Sequence, residues 1–350
     1  MPVELLAAAI CDIPSVSGEE RALADAVEAA LRAAPHLEVV RDGDAVVART
    51  NLGRSRRVAI AGHLDTVPVR DNLPTRRERL DGVETLIGRG TVDMKSGVAV
   101  QLKLAVELVA PGCDITWIFY DQEEVASDRN GLGRLARNRP DLLAADFAVL
   151  GEPTAGGIEG GCNGTLRVRL RFHGTRAHSA RPWSGRNAIH AAAGALATLA
   201  AYEPTTVEVD GLDYREALNA TIISGGVATN VIPDLAEVTV NYRFAPSRSG
   251  EAAVAHVREL FPGVELVVDD LAEGARPGLD APIAQEFVAA VGARPSPKLG
   301  WTDVARFSAL GIPAVNYGPG DPNLAHRDDE RVPVDQILAV EAGLRAWLTA

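Results

Sequence analysis

Four stretches of this chain are apolar almost without interruption, and each gives way abruptly to polar residues. They are Arg57-Val-Ala-Ile-Ala-Gly, Ile115-Thr-Trp-Ile-Phe-Tyr, Phe147-Ala-Val-Leu and Ile312-Pro-Ala-Val-Asn-Tyr, too short for helices and without alternation. That is the pattern of strands covered on both faces, as in the sheet of an α/β protein. Helical spacing appears over residues 19–34, with Pro35 beyond it, and an apolar helical run covers Val98 to Val109. Val39 to Thr50 reads as two strands turning at Asp42-Gly43. Ser17 with Glu20 three residues later predicts a capping box, so Ser15 to Gly18 reads as no more than a helix start.

From Thr165 to about Leu271 the texture changes. Leu166, Val168, Leu170 and Phe172 alternate with Arg167, Arg169 and Arg171, which predicts a strand buried on one face only, its arginines forming a solvated stripe. A helix (187–201), strands (218–224 and 237–244), a second helix (250–260) and a last strand (264–268) follow. The order βαββαβ is ferredoxin-like. Because helix 281–291 and strand 312–317 resume the buried α/β pattern, this segment is expected as an insert, residues 166–272, within a discontinuous domain of residues 1–165 and 273–350. An exposed edge on a small inserted sheet invites pairing between subunits, so a homodimer is expected.

Composition adjusts this picture little. The chain has 350 residues, enough for two domains, and its 47% hydrophobic and 23% charged residues are those of an ordinary globular protein. A formal net charge of −12 argues against a nucleic-acid partner. Three widely spaced cysteines, Cys11, Cys113 and Cys162, without a Cys-x-x-Cys pair, read as reduced thiols of a cytoplasmic protein. No basic-then-apolar leader and no membrane-length apolar run is evident.

The chemistry gathers where the apolar stretches end. The first runs into His63-Leu-Asp65, the second into Asp121-Gln-Glu123-Glu124, the third into Gly151-Glu152, and the fourth leads through Gly318-Pro-Gly to His326; Asp93 stands just ahead of the Val98 helix. Singly, Asp93 reads as a helix cap and Glu123-Glu124 as an acidic loop. Together they occupy the carboxyl ends of strands, where open α/β sheets bind ligands. His63 and Asp65, two apart, face the same way on extended backbone, and Asp65 can take the second ring N–H of a ligating histidine. Glu123 beside Glu124 repels unless a cation or a shared proton relieves the pair, which suggests that one binds metal and the other moves protons. His63, Asp93, Glu124, Glu152 and His326 suffice for two ions sharing one bridging aspartate. Mixed imidazole and carboxylate ligation favours zinc, with cobalt or manganese as substitutes. His36, His173, His190 and His256 lie in regular patterns without carboxylate company and read as structural. His178 in the donor-rich loop Gly174–Trp183, the tight connection Asn230-Val-Ile-Pro and Arg243 gain interest only if the insert serves the metals.

Seven motifs, in order and across nearly the whole chain, resemble the dinuclear zinc amidohydrolases: Gly62-His-Leu-Asp-Thr-Val-Pro, Gly88-Arg-Gly-Thr-Val-Asp-Met-Lys-Ser-Gly, Asp121-Gln-Glu-Glu-Val, Gly151-Glu-Pro-Thr, Ala177-His-Ser-Ala-Arg-Pro-Trp, Asn230-Val-Ile-Pro and the late His326. The resemblance implies a zinc-peptidase-like α/β catalytic domain with a mixed, largely parallel sheet, plus a ferredoxin-like dimerisation or lid domain. It also implies that Asp93 bridges two zinc ions, with His63 and Glu152 completing one site and Glu124 and His326 the other. Glu123 becomes the general base and His178 reaches the partner subunit's site, with Asp65 counted beside them among the catalytic residues. Asn230, Arg243 and Thr302 fall at positions of substrate contact. The runs Gly300-Trp-Thr-Asp-Val-Ala-Arg-Phe and Asn316–His326 look most like the succinyl-diaminopimelate desuccinylase branch, which implies hydrolysis of N-succinyl-LL-2,6-diaminopimelate in lysine biosynthesis. The alternatives are another N-acyl amino acid, such as N-acetylornithine, and a non-catalytic metal- or peptide-binding module.

Overall fold

A computed structural model describes residues 1–350. The chain forms two compact units. The first comprises Met1–Gly160, Pro277–Ser296 and Asp303–Ala350, and the second Gly161–Arg276 and Pro297–Thr302. The second unit thus begins before residue 166 and takes Pro297–Thr302 with it, a short excursion without any periodicity to announce it.

The first unit is built on an eight-stranded mixed sheet. Its centre is the strand Arg57–His63, parallel to both Asp114–Tyr120 and Phe147–Leu150; Ala314–Asn316 runs parallel to the far side of Phe147–Leu150. The hairpin Glu38–Asp42 and Ala45–Arg49 continues the sheet antiparallel to Asp114–Tyr120. Each residue of Asp114–Tyr120 and Phe147–Leu150 is buried, as strands covered on both faces must be. Val58, Ile60, Trp117, Phe119, Phe147 and Val149 meet side chains of helices Val3–Cys11, Arg21–Arg32, Lys95–Glu107, Pro282–Val291 and Val334–Leu348 in one core. A separate three-stranded sheet of Arg76–Leu80, Val83–Ile87 and Arg331–Pro333 has no counterpart in the apolar pattern, because its outer strand Arg76–Leu80 is charged and almost wholly exposed.

The second unit is an antiparallel five-stranded sheet in the order Thr205–Val209, Leu212–Gly225, Leu235–Phe244, Gly164–His173, Glu265–Ala272. Without the edge strand Thr205–Val209, this is the ferredoxin-like βαββαβ arrangement. Leu166, Val168, Leu170 and Phe172 face helix residues Ala188, Ala192, Ala195, Ala253 and Val257 in a core of their own. The arginines on the other face are tied to carboxylates of neighbouring strands: Arg169 to Asp269 and Glu237, Arg171 to Glu237 and Glu265. Thr205–Val209 covers only Leu212–Glu216 of the outer edge, so Ala217–Gly225 pairs on one side alone and leaves Ile222 and Ile223 exposed.

Three local expectations change. The 187–201 helix is divided into Ala188–Ala191 and Ala193–Ala200, with Asn187 capping the first piece through the N–H groups of Ile189 and His190. His173 does have carboxylate company, since its Nε2 lies 2.6 Å from Glu265 across an exposed strand pair. The capping box is absent: Glu20 is itself the cap residue of Arg21–Arg32 and makes no side-chain cap bond, because both Ser17 and Glu20 are engaged elsewhere. No helix is long and apolar enough to cross a membrane.

Candidate metal centre

Strand ends of the first unit deliver the polar residues. His63 closes Arg57–His63, while Glu152 follows Phe147–Leu150 by two residues. Asp93 lies in the turn before helix Lys95–Glu107, where Met94, not Asp93, is the cap residue. Two glycines let these backbones meet. A Cβ on Gly97 would stand 2.1 Å from the Gly151 carbonyl oxygen, and one on Gly318 2.3 Å from the same atom, so only glycine permits the approach.

The resulting geometry is two triads sharing one residue. Ligating atoms of His63, Asp93 and Glu152 lie within 4.8 Å of one another, as do those of Asp93, Glu124 and His326. The two carboxylate oxygens of Asp93 face opposite ways. Oδ1 lies 3.2 Å from His63 Nε2 and Oδ2 3.2 Å from His326 Nε2. Glu152 stands 4.0 Å from His63 Nε2 on the first side, and Glu124 2.8 Å from His326 Nε2 on the second. This donor set, two imidazoles and three carboxylates with a bridging carboxylate in the middle, fits a pair of divalent cations.

Electrostatics point the same way. Hydrogen bonds to Asp93 and Glu124 push the His326 imidazole up to about 10. For His63, burial opposes protonation, but hydrogen bonds to Asp65 and Asp93 outweigh it and hold the ring well above its ordinary value. Asp93 is held below the carboxylate range, burial being outweighed by hydrogen bonds from His326 and His63. Glu123 is driven far the other way, first by burial and then by Asp303, Glu152 and Glu124, against the pull of His63. The site therefore attracts positive charge; a bound cation would displace protons from the histidines and favour the ionised form of Glu123.

The supporting contacts include several that the motifs do not announce. His63 Nδ1 is 3.0 Å from the backbone carbonyl of Asp65 and 3.4 Å from its carboxylate. That carboxylate also accepts the N–H groups of Glu123 (2.9 Å) and Glu124 (3.0 Å) and the Ser17 hydroxyl (2.7 Å). Asp65 thus orients one histidine and clamps the acidic turn. Glu20, fully buried, accepts from the N–H of Gln122 at 3.1 Å and of Gly18 at 2.8 Å. Gln122 has φ of 58° and His326 of 65°, a left-handed backbone that non-glycine residues hold only where surroundings enforce it. Ser15 to Glu20 is therefore a brace and not merely a helix start. An apolar-periodicity reading misses it because its contacts are made by polar side chains at long sequence separation; the only signal was the density of small and acidic residues after Pro14.

The remaining predicted residues belong to the second unit. Ala177–His178 pairs with Val231–Ile232, and the Ser179 N–H bonds the Asn230 carbonyl at 2.9 Å, so His178 and Asn230 are neighbours. The His178 ring is exposed. Arg243 lies on the polar face of its strand and reaches Asn241 at 3.1 Å, and Thr302 is buried.

Comparison with known proteins places this geometry in a family. Residues 59–350 match Peptidase family M20/M25/M40. A Mycobacterium tuberculosis protein, itself only provisionally described as a succinyl-diaminopimelate desuccinylase, is 58% identical over 350 residues, 99% of this chain and 98% of that protein. The succinyl-diaminopimelate desuccinylase of Corynebacterium glutamicum is 49% identical over 351 residues, 97% of this chain and 94% of its own. Among solved structures, a Staphylococcus aureus tripeptidase superposes with a TM-score of 0.80 at 20% identity, over 99% of this chain and 97% of that one, which is a likeness of fold. With a family match over most of its length and relatives this similar end to end, the chain belongs to Peptidase family M20/M25/M40.

Proposed function

We propose that this chain hydrolyses the amide bond of N-succinyl-LL-2,6-diaminopimelate, giving succinate and LL-2,6-diaminopimelate. The observation that carries the reading is Asp93 between His63 and His326, each histidine with its own second carboxylate and Glu123 alongside. Kinship with the two desuccinylases above supports this substrate. His63, Asp93 and Glu152 would hold one ion, and Asp93, Glu124 and His326 the other; the ions would be zinc, with cobalt as a substitute. When bound, such a pair lowers the pKa of a water and polarises the scissile carbonyl.

The chain's own residues do the rest. Glu123 Oε takes a proton from the attacking water and returns it to the departing amine nitrogen. Asp65 keeps Glu123 in place through its backbone N–H and fixes the His63 ring. His178 would donate to the oxyanion in the partner subunit's site, Asn230 and Thr302 would contact substrate, and the Arg243 guanidinium would take a substrate carboxylate by a forked contact. Subunit pairing would use the open edge Ala217–Gly225, and the enzyme would act in the cytoplasm as a homodimer.

The test is an assay of the zinc-loaded protein on N-succinyl-LL-diaminopimelate and N-acetylornithine in parallel. Preference for the succinyl substrate is expected. Preference for the acetyl compound would overturn the substrate, and metal binding without turnover on either or on a wider N-acyl panel would overturn the enzyme reading.

A further inference from the structure

The turn that carries Asp93 is held by a residue outside the two triads. Glu330 is 1% exposed, and its Oε1 accepts the N–H of Val92 at 2.9 Å and the N–H of Asp93 itself at 3.1 Å. Its Oε2 accepts from Arg89 Nη1 at 2.7 Å, and Arg89 is 2% exposed. Arg89 in turn donates to the carbonyls of Pro68 at 3.2 Å and Arg327 at 3.2 Å. The Gly88 N–H bonds the Glu330 carbonyl at 2.9 Å, closing the connection at the backbone.

This buried pair therefore meets three segments at once: the one after His63, the turn bearing Asp93 and the one bearing His326. Only three residues separate Glu330 from His326. A buried ion pair is seldom retained for net stability, since desolvation offsets most of its attraction; here its partners are backbone atoms of candidate ligand segments. Asp93 is the residue whose position is most demanding, because its two oxygens serve opposite sides.

We infer that Glu330, oriented by Arg89, is a positioning residue that fixes the Asp93 carboxylate between the two cation sites and so sets the affinity for both ions. The inference rests on the dinuclear reading proposed above. Groups that orient ligands in this way typically change metal affinity by about 10–100-fold when removed.

The test measures zinc affinity by chelator competition and the melting temperature of the metal-free protein. Two double variants share an Arg89→Met change, so neither leaves a buried cation without a partner. Arg89→Met with Glu330→Gln keeps an amide oxygen for the Val92 and Asp93 N–H groups, whereas Arg89→Met with Glu330→Ala removes the acceptor. The Gln form is expected to bind zinc at least about 10-fold more tightly than the Ala form, with metal-free melting temperatures that agree within a few degrees. Equal affinities would overturn the inference. Should the Ala form not fold, Glu330→Asp serves: it keeps the charge beside Arg89 but withdraws the carboxylate by one methylene, and is expected to weaken zinc binding about 10-fold, unchanged affinity again being fatal. Failure of the wild-type protein to bind two zinc ions would instead overturn the dinuclear reading, and the inference with it.

Discussion

The two units handle acidic residues in opposite ways. In the second, carboxylates lie on the face of a sheet opposite a row of arginines: Asp269 meets Arg169, Glu237 meets Arg169 and Arg171, and inside the unit Glu216 meets Arg248. Charge is neutralised where it arises. In the first unit, carboxylates converge beyond strand ends, and the ion-pair partners of Asp93 and Glu124 there are the histidines His63 and His326. Paired with arginines on a sheet face, acid residues are structure; gathered around histidines at its end, they are a place for cations.

The sharpest attack on that contrast is Glu123→Ala. If the gathered acids do chemistry, turnover falls by 10²–10⁴-fold or more, about 3–5 kcal/mol of barrier, while zinc stoichiometry stays at two. Steady-state kinetics with metal analysis on the same sample decides it, and a near-normal rate would remove Glu123 from its role. Next is the effect of metal on stability. Zinc at 100 times its dissociation constant is expected to stabilise the native protein by about 2.7 kcal/mol, read as a rise in melting temperature that a chelator reverses. Asp93→Ala should abolish that rise, because both triads lose their shared member.

The third prediction moves to the second unit. Glu216 accepts from Tyr242 at 2.9 Å, Ala245 N–H at 2.9 Å and Arg248 at 3.1 Å. Burial works against its ionisation, but these bonds outweigh burial and hold the carboxyl below its ordinary value. A carboxyl with a depressed folded-state pKa contributes stability above its unfolded value, near 4.3, and loses it as pH falls through the folded one. Glu216→Gln should therefore cost about 2 kcal/mol at pH 7, the difference from wild type shrinking below about pH 4. Urea midpoints at several pH values measure it, and a pH-independent difference would show that the bond geometry, not the charge, matters.

How much of this could be read from the chain follows from the same contrast. Buried strands announce themselves because both faces are apolar, so Arg57–His63, Asp114–Tyr120 and Phe147–Leu150 were legible nearly to the residue. Helix Gly250–Leu260 was legible at both ends, with Ser249 capping it. The candidate triads were legible because His63, Glu124 and Glu152 stand just where such strands stop, while Asp93 stands just ahead of a helix and His326 follows the last strand at a distance. What hides is whatever depends on polar contacts over long separations. Glu20 reaches Gln122 and Glu330 reaches Asp93 across more than a hundred positions, and no local period marks either residue. The charged hairpin of Arg76–Leu80 and Val83–Ile87 was missed because its outer strand lacks an apolar face.

The smallest effect tests the neutralised side of the comparison. Arg169 forks onto Asp269, with Nε 2.7 Å from Oδ2 and Nη2 2.8 Å from Oδ1, and has Glu237 at 3.4 Å. Both partners are partly exposed, and exposed pairs contribute about 0.2–1 kcal/mol, the upper end belonging to forked geometry. Asp269 sits where the register of its strand shifts between Val268 and Asp270, so the fork also anchors an irregular point. Arg169→Ala should lower the urea-derived stability by about 0.5–1 kcal/mol in dilute buffer. In 1 M salt, where screening falls to about 3 Å, most of that difference should vanish, and turnover should not change under either condition. A loss that persists in high salt would mean that Arg169 acts through its packed stem and not its charge, and a loss of turnover would break the division between structural and chemical carboxylates on which the contrast rests.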